Sequence, residues 1–254
     1  MSHFSDVDAS PAIDSLKQYL ERTDHFMAPL KAYMTAAAAA AVGHGGVVVD
    51  IGCGLGRDLA RLHASGLRPI GVDRSAALLA VASSVGAPVV QADAASLPFR
   101  DGSVDGVRIE RVLEHVIDPE RVLDEAARVL RPGGWVAVLE PDFGTFRVES
   151  DVVTDGSWPA ALLAARHPYV GGVVADMLSE RGFAVRDIVT ESSRGRAFEF
   201  LPVDAAAVVA RAVGSGRCDA HAAAEWIAEQ RRRSLAGTLR ARWDKVLVVA
   251  SLVD

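Results

Sequence analysis

Aromatic residues make up only 6% of this 254-residue chain, so Val, Leu and Ala must fill whatever core it builds. Half of the residues are hydrophobic, which is enough for a sizeable core. A chain of this length suits one globular unit with local elaborations. Cysteine is scarce: Cys53 and Cys218 are too few for a disulfide framework. No His/Cys spacing has the form of a metal site, so no metal is expected. Basic charge is also in deficit. The net charge of −6 argues against nucleic acid as the main partner, because phosphate binding needs a basic field. That charge is uneven, since residues 205–245 carry eight Lys/Arg against four Asp/Glu. A solvated helical face is the favoured reading of this excess, ahead of an anion-binding surface. Long apolar runs are missing. The stretch Ala36 to Ala41 is too short to span a bilayer, and Gly43 to Gly46 closes it. The first ten residues are polar and acidic, unlike a signal peptide. No membrane partner and a cytoplasmic location are therefore expected.

What is present is a rhythm. Residues 12–42 read as helical, with Ile13, Leu16, Tyr19 and Leu20 at helical spacing and a break expected near Pro29. From Val47 the pattern alternates. Val47 to Ile51 is a short, unalternated β-branched run of the kind buried on both faces of a sheet. A helix from Arg57 to Ser65 follows, then a strand from Arg68 to Asp73 and a helix from Ala76 to Ser84. Pro88 to Gln91 and Val104 to Ile109 read as strands. Pro119 to Leu130 reads as a helix that Arg131-Pro132-Gly133-Gly134 stops. Trp135 to Leu139 is a fifth strand. Such alternation predicts an α/β fold with a mostly parallel sheet and helices on both faces. Later come a helix from Val173 to Arg181, a strand from Phe183 to Thr190, helices over 204–236 and a last strand from Lys245 to Leu252. Two late strands without a crossover helix suggest an antiparallel addition at the sheet edge.

In open α/β sheets, ligands sit beyond the carboxyl ends of the strands where strand order reverses. The first strand runs into Asp50-Ile51-Gly52-Cys53-Gly54-Leu55-Gly56. Glycines there let the backbone approach a ligand, or simply make a tight turn. A nicotinamide fingerprint would need a third glycine at position 57, which is Arg57. The second strand ends at Asp73, placed to accept from ribose hydroxyls or to cap the next helix. The third is followed by Gln91-Ala92-Asp93-Ala94, whose carboxylate can accept from an exocyclic amine or close a surface turn. Three acids ending three successive strands, the first on a glycine loop, favour a nucleoside-like ligand.

Together with Gly71-Val72-Asp73-Arg74-Ser75, these motifs continue in order through Leu97-Pro98-Phe99, Asp101-Gly102-Ser103-Val104-Asp105, Arg111-Val112-Leu113-Glu114-His115-Val116 and Val129 to Gly134. Over about 45–142 the chain resembles the class I S-adenosylmethionine-dependent methyltransferases, in particular their ubiquinone/menaquinone-biosynthesis-like small-molecule group. The resemblance implies a Rossmann-like sheet of seven strands, the last antiparallel, under a helical lid. It implies S-adenosyl-L-methionine as cofactor and a small-molecule acceptor. The loop of Asp50, Gly52, Cys53, Gly54 and Gly56 would hold the methionine portion. Asp73 would bind the ribose, with Arg74 beside the adenine. Asp93 would take the adenine amino group and the Ala94 N–H a ring nitrogen. Glu110 and Arg111 would flank the sulfonium. An acid–arginine pair there is more charged than usual, and Glu110 could attract the cofactor or pair with Arg111 or Arg108.

The expected layout is one domain over 1–254. Residues 1–44 form an N-terminal helical lid and 45–142 the cofactor-binding core. The substrate-side half is 143–254, with a helical insertion at about 200–237. His115, shortly after the fourth strand, is the candidate general base, titrating near the ordinary histidine value of ~6.5. Its alternative role is to cap or pack the helix near Asp118-Pro119. Asp142 is a second candidate, or a turn before Gly144. His167 and Tyr169 could face the acceptor or pack a loop. Trp158, Trp226 and Trp243 suit core or lid contacts. The Ala-rich segments 12–42 and 195–237 favour a hydrophobic or aromatic acceptor. A nicotinamide oxidoreductase fits less of the pattern, opposed by Arg57 and Asp93, whereas a cofactor-binding cyclase or partner subunit that transfers no methyl would carry the same cofactor motifs.

Overall fold

A computed structural model describes residue 8 and residues 13–149, 165–195, 213–214 and 219–253. Helix α1 (Ile13–Val42) precedes an alternating series: β1 (Val47–Ile51), α2 (Arg57–Ala64), β2 (Arg68–Asp73), α3 (Ala76–Ala82) and β3 (Val89–Gln91). Then come β4 (Val104–Glu110), α4 (Pro119–Val129), β5 (Leu130–Val148), α5 (Val170–Ser179), β6 (Phe183–Gly195), α6 (Ala220–Leu235) and β7 (Ala241–Leu252). The sheet these strands form has the order β3-β2-β1-β4-β5-β7-β6. Strands β1 to β5 pair in parallel, and β7 runs antiparallel to both β5 and β6. Strand order reverses between β1 and β4, so their carboxyl ends open a crevice there.

Both sheet faces are buried, which is why the strands read as unalternated apolar runs. Val49, Ile51, Val136, Val138 and Val248 point to one face, covered by Val122, Leu123 and Ala126 of α4 and Val174 and Leu178 of α5. Val48, Trp135, Ala137, Leu139 and Val249 point to the other, covered by α1 and α2. Met27, Leu30, Met34 and Ala38, spaced three or four apart, form the buried stripe of α1. The break expected at Pro29 does not occur, and α1 runs through it. Proline removes one helix hydrogen bond, but its ring lies on the exposed side while its neighbours Met27 and Leu30 anchor the helix to the sheet.

The last three strands outrun their expected lengths. β5 continues past Leu139 to Val148, β6 past Thr190 to Gly195, and β7 begins at Ala241 rather than Lys245. Their extension encloses a small cluster of Phe143, Phe146, Leu239, Ala241 and Trp243. The Phe146 and Trp243 rings lie 6.2 Å apart at 54°, a tilted aromatic pair. Trp226 is buried on α6. Trp158, Cys218 and residues 200–212 and 215–218 of the expected insertion at 200–237 lie outside the described residues, and α6 occupies its later part.

Candidate active site

The loop after β1 is shaped by two glycines with different duties. Gly52 has φ +71°, and a Cβ there would lie 2.3 Å from Val112 Cγ2, so the loop can abut β4's exit only as glycine. Gly54 has φ +52°, but a Cβ on it would meet nothing within 4 Å. Its open side is cleft. The loop is tied to β2 by the N–H groups of Gly52 and Cys53, which donate to the Val72 carbonyl at 2.7 and 3.0 Å. Asp73 completes the stitch. Its Oδ2 accepts from Gly54 N–H and its Oδ1 from Ser75 N–H, each at 2.9 Å. Burial raises the Asp73 proton affinity, opposed by those backbone donors. Each oxygen can still accept a further hydrogen bond. Ser75, not Asp73, caps α3, its hydroxyl accepting from Leu78 N–H. After β3, Asp93 Oδ1 accepts from Ala95 N–H at 2.9 Å and presents the turn Ala92–Ala95 to the same space.

These segments wall a cleft of about 380 Å³ at the switch point. Of the residues expected at a site, Gly52, Cys53, Gly54, Asp73, Arg74, Asp93, Ala94, Glu110, Arg111 and His115 all line it. Asp50 and Gly56 do not: Asp50 is 1% exposed and bonded to Arg108, and Gly56 heads α2 behind the loop. Burial raises the Cys53 thiol's proton affinity, which leaves it an inert wall group. Asp142, His167 and Tyr169 are absent from the lining. Asp142 accepts from Gly144 N–H, and His167 Nε2 lies 3.1 Å from the Val116 carbonyl.

One end of the cleft rests on a network of buried charges. Arg108 reaches Asp50 at 2.7 Å, Asp58 at 3.0 Å and Glu110 at 2.5 Å. Lys31 of α1 reaches Asp24 at 2.5 Å, Asp58 at 2.9 Å and Glu110 at 3.0 Å. Arg61 adds contacts to Asp24 and Asp58. Burial alone would raise every acid here. Arg108 and Lys31 instead hold Asp58 well below the usual carboxylate range, and Arg61 and Lys31 hold Asp24 at about 2. For Asp50 burial wins over Arg108 and lifts it to about 6. Glu110 thus pairs with Arg108, Lys31 and, at 3.3 Å, Arg111.

The other end is acidic and less compensated. β4 exits through Arg111, a non-glycine residue at φ +53°, into a turn over 112–116. Glu140 of β5 caps that turn: its Oε1 accepts from Val112 and Leu113 N–H, each at 2.8 Å. Glu114 and His115 emerge into the cleft, with His115 Nε2 3.4 Å from Glu114 Oε1. Burial lifts Glu114 to about 7, with Arg111 opposing. Burial and Arg111 together draw His115 down to about 3, so a histidine titrating near 6.5 is not what the cleft holds. The helix-capping role belongs to Asp118, which accepts from Arg121 N–H.

Leu20, Asp24, Lys31, Asp58, Arg108 and Glu114 line the cleft unforeseen. Two left a trace. Arg108 interrupts an apolar strand, and Lys31 is the one charge between Met27 and Val42. A buried charge implies partners. Glu110 and Asp24 lie near Arg108 and Lys31 in sequence, but Asp50 and Asp58 do not.

Among the described residues no cluster of His, Cys, Asp and Glu could hold a metal ion, and no helix is long and apolar enough to cross a membrane. Residues 49–138 match the family model described as a methyltransferase domain. An uncharacterised 37.1 kDa protein from a Streptomyces fradiae transposon is 36% identical over 157 residues, 57% of this chain and 45% of its own. A demethylmenaquinone methyltransferase from Clavibacter sepedonicus is 39% identical over 98 residues, 37% of this chain and 40% of its own. The chain thus spans less than half the length of these curated relatives. A putative methyltransferase from Bacillus halodurans superposes with TM-score 0.64 at 16% identity, over 88% of this chain and 99% of its own. The cyclase SpnF superposes with TM-score 0.56 at 23% identity, over 87% and 81%. At these identities the superpositions speak for the fold alone.

Proposed function

We propose, from the premise that residues 49–138 are a class I S-adenosylmethionine-dependent methyltransferase domain, that the cleft binds S-adenosylmethionine and delivers its methyl group to a small hydrophobic or aromatic acceptor. The observation that carries this reading is the convergence of Gly52–Gly54, Asp73 and Asp93 on one cleft at the strand switch point. The residues fit the group. The volume of about 380 Å³ lies within the range of small-molecule sites, and Gly54 leaves the loop's cleft side open. A bound cofactor supplies an activated methyl on a sulfonium, so the protein's work is orientation and exclusion of water.

Asp73, already fixed by two backbone donors, has lone pairs left for ribose hydroxyls. Asp93 and the Ala94 N–H would receive the adenine edge. The backbone of Gly52 to Leu55 walls the methionine end, above the ionic network. Val112, Val116 and Ile117 give the acceptor side an apolar wall, and Ile117 is 78% exposed at its rim.

Calorimetry with S-adenosylhomocysteine tests the reading directly. Hydrogen bonds to a charged group contribute about 1.5–3 kcal/mol, so Asp73→Ala should weaken binding at least ~10-fold. A wild-type protein that binds neither cofactor form would end the proposal. An unchanged dissociation constant in a folded Asp73→Ala variant would remove Asp73 from the site.

A further inference from the structure

The cleft contains a buried carboxyl group that cofactor binding leaves unused. Glu114 is 5% exposed, yet its residue lines the cleft beside Val112, Val116 and Ile117. It is held from two sides. Glu140 fixes the turn from behind through the Val112 and Leu113 N–H groups, and the Arg166 and His167 N–H groups donate to the Glu114 carbonyl at 2.7 and 3.0 Å. Glu140 Oε2 is buried with no hydrogen-bond partner, so the cap itself is not solvated. The titratable and charged groups around Glu114 are Arg111 and His115 on its own turn and Glu140 from β5. Among the described residues no lysine or arginine forms an ion pair with Glu114 as Lys31 and Arg108 do with the acids at the other end.

We propose that Glu114 is the catalytic base of this cleft, taking the proton from the hydroxyl of a phenol-class acceptor as that oxygen is methylated. The inference rests on the methyl-transfer reading above. In the step, the acceptor's O–H bond breaks and its electron pair stays on oxygen. Oxygen bonds the methyl carbon, the carbon–sulfur pair stays with sulfur, and the proton ends on Glu114. A carboxylate lifted to about 7 by burial matches that task near neutral pH. His115, drawn down to about 3, holds a proton too weakly and serves as a neutral hydrogen-bonding neighbour.

The test uses the full chain with S-adenosylhomocysteine, with a tritium-labelled methyl donor, and with a panel of phenols, catechols and naphthols. Failure of the wild type to bind S-adenosylhomocysteine defeats the methyl-transfer reading, and the proposal with it. With binding intact, Glu114→Gln should keep its dissociation constant within about twofold. It should slow single turnover ~10²–10⁴-fold and lose the acidic limb of the pH–rate profile. His115→Gln should keep that limb. Glu114→Asp, which retains a carboxylate, should keep the limb at a reduced rate and serves if the Gln variant does not fold. Infrared difference spectra of the complex need no acceptor. A protonated-carboxyl stretch that titrates across neutrality, vanishes in Glu114→Gln and shifts in Glu114→Asp supports the proposal. Its absence, or wild-type turnover by Glu114→Gln, overturns it.

Discussion

The two ends of the cleft bury carboxylates to similar depth and treat them in opposite ways. At the Arg108 end, Asp24 and Asp58 share Lys31 and Arg61, Arg108 adds to Asp58, and both remain ionised at any ordinary pH. At the Glu114 end, Glu140 has backbone donors and Glu114 one offsetting arginine, and burial drives both upward. Burial is the same cost in both places. What differs is how many cations stand within contact. Lys31 and Arg61 both reach Asp24 and Asp58, whereas among the described residues Arg108 alone reaches Asp50, which burial still lifts. Compensated charge makes a rigid floor that ties α1, α2, β1 and β4 together. Uncompensated charge makes groups that exchange protons.

The largest effect should come from breaking the compensated end. Arg108→Met leaves Asp50, Asp58 and Glu110 facing each other without their guanidinium. Removing one partner of a buried ionic set costs about 3–5 kcal/mol. Glu140→Gln should cost well under ~1 kcal/mol. Burial already favours the neutral carboxyl, and an amide oxygen can still accept from Val112 and Leu113. Urea unfolding of both variants measures the contrast. Equal losses would mean the two ends do not differ as described.

A second, smaller effect separates floor from ligand space. Gly54→Val adds atoms where the protein has none within 4 Å, at a left-handed φ of +52°. The helical circular dichroism should survive. The affinity for S-adenosylhomocysteine should fall at least ~10-fold, or about 1.4 kcal/mol. Full binding by this variant would make the loop a turn and nothing more.

The mostly parallel sheet and most of the residues that line the cleft were legible because they depend on local signals. Apolar runs end in glycines and acids, and topology alone brings those ends to one crevice. The rest depended on partners far along the chain. Past Leu139, β5 passes through Pro141, Asp142 and Gly144, which read as a turn. It stays a strand because β7 lies alongside, pairing Pro141 with Lys245 and Arg147 with Arg242. Lys31 and Asp58 are 27 positions apart, and Arg108 and Asp50 are 58 apart. No spacing rule reaches that far. Glu114 stood in plain view between Leu113 and His115. Burial acts on both it and its more familiar neighbour, but lifts the carboxyl and lowers the imidazole, a difference no sequence spacing shows.

The smallest predicted effect tests the Glu114 end of the cleft through stability alone. Unfolded Glu releases its proton near ~4.3, whereas folded Glu114 keeps its proton up to about 7. Between those values the folded state binds more protons, so its contribution is complete at low pH and is lost as pH rises through about 7. His115 has the opposite sign. Folded, it resists protonation until about 3, so its contribution is present above ~6.5 and is lost as pH falls. Glu114→Gln removes the first effect and leaves the second. Relative to wild type, the variant should therefore gain stability as pH rises from ~5 to ~8. A gain on the order of 1 kcal/mol corresponds to roughly 2–4 °C in melting temperature for a chain of this size. His115→Gln should give a difference that moves the other way, growing as pH falls below ~6.5. Melting curves for the three proteins across that range, at fixed ionic strength, read both slopes. A Glu114→Gln difference that is flat with pH would place Glu114 among the ordinary carboxylates and erase the contrast between the two ends.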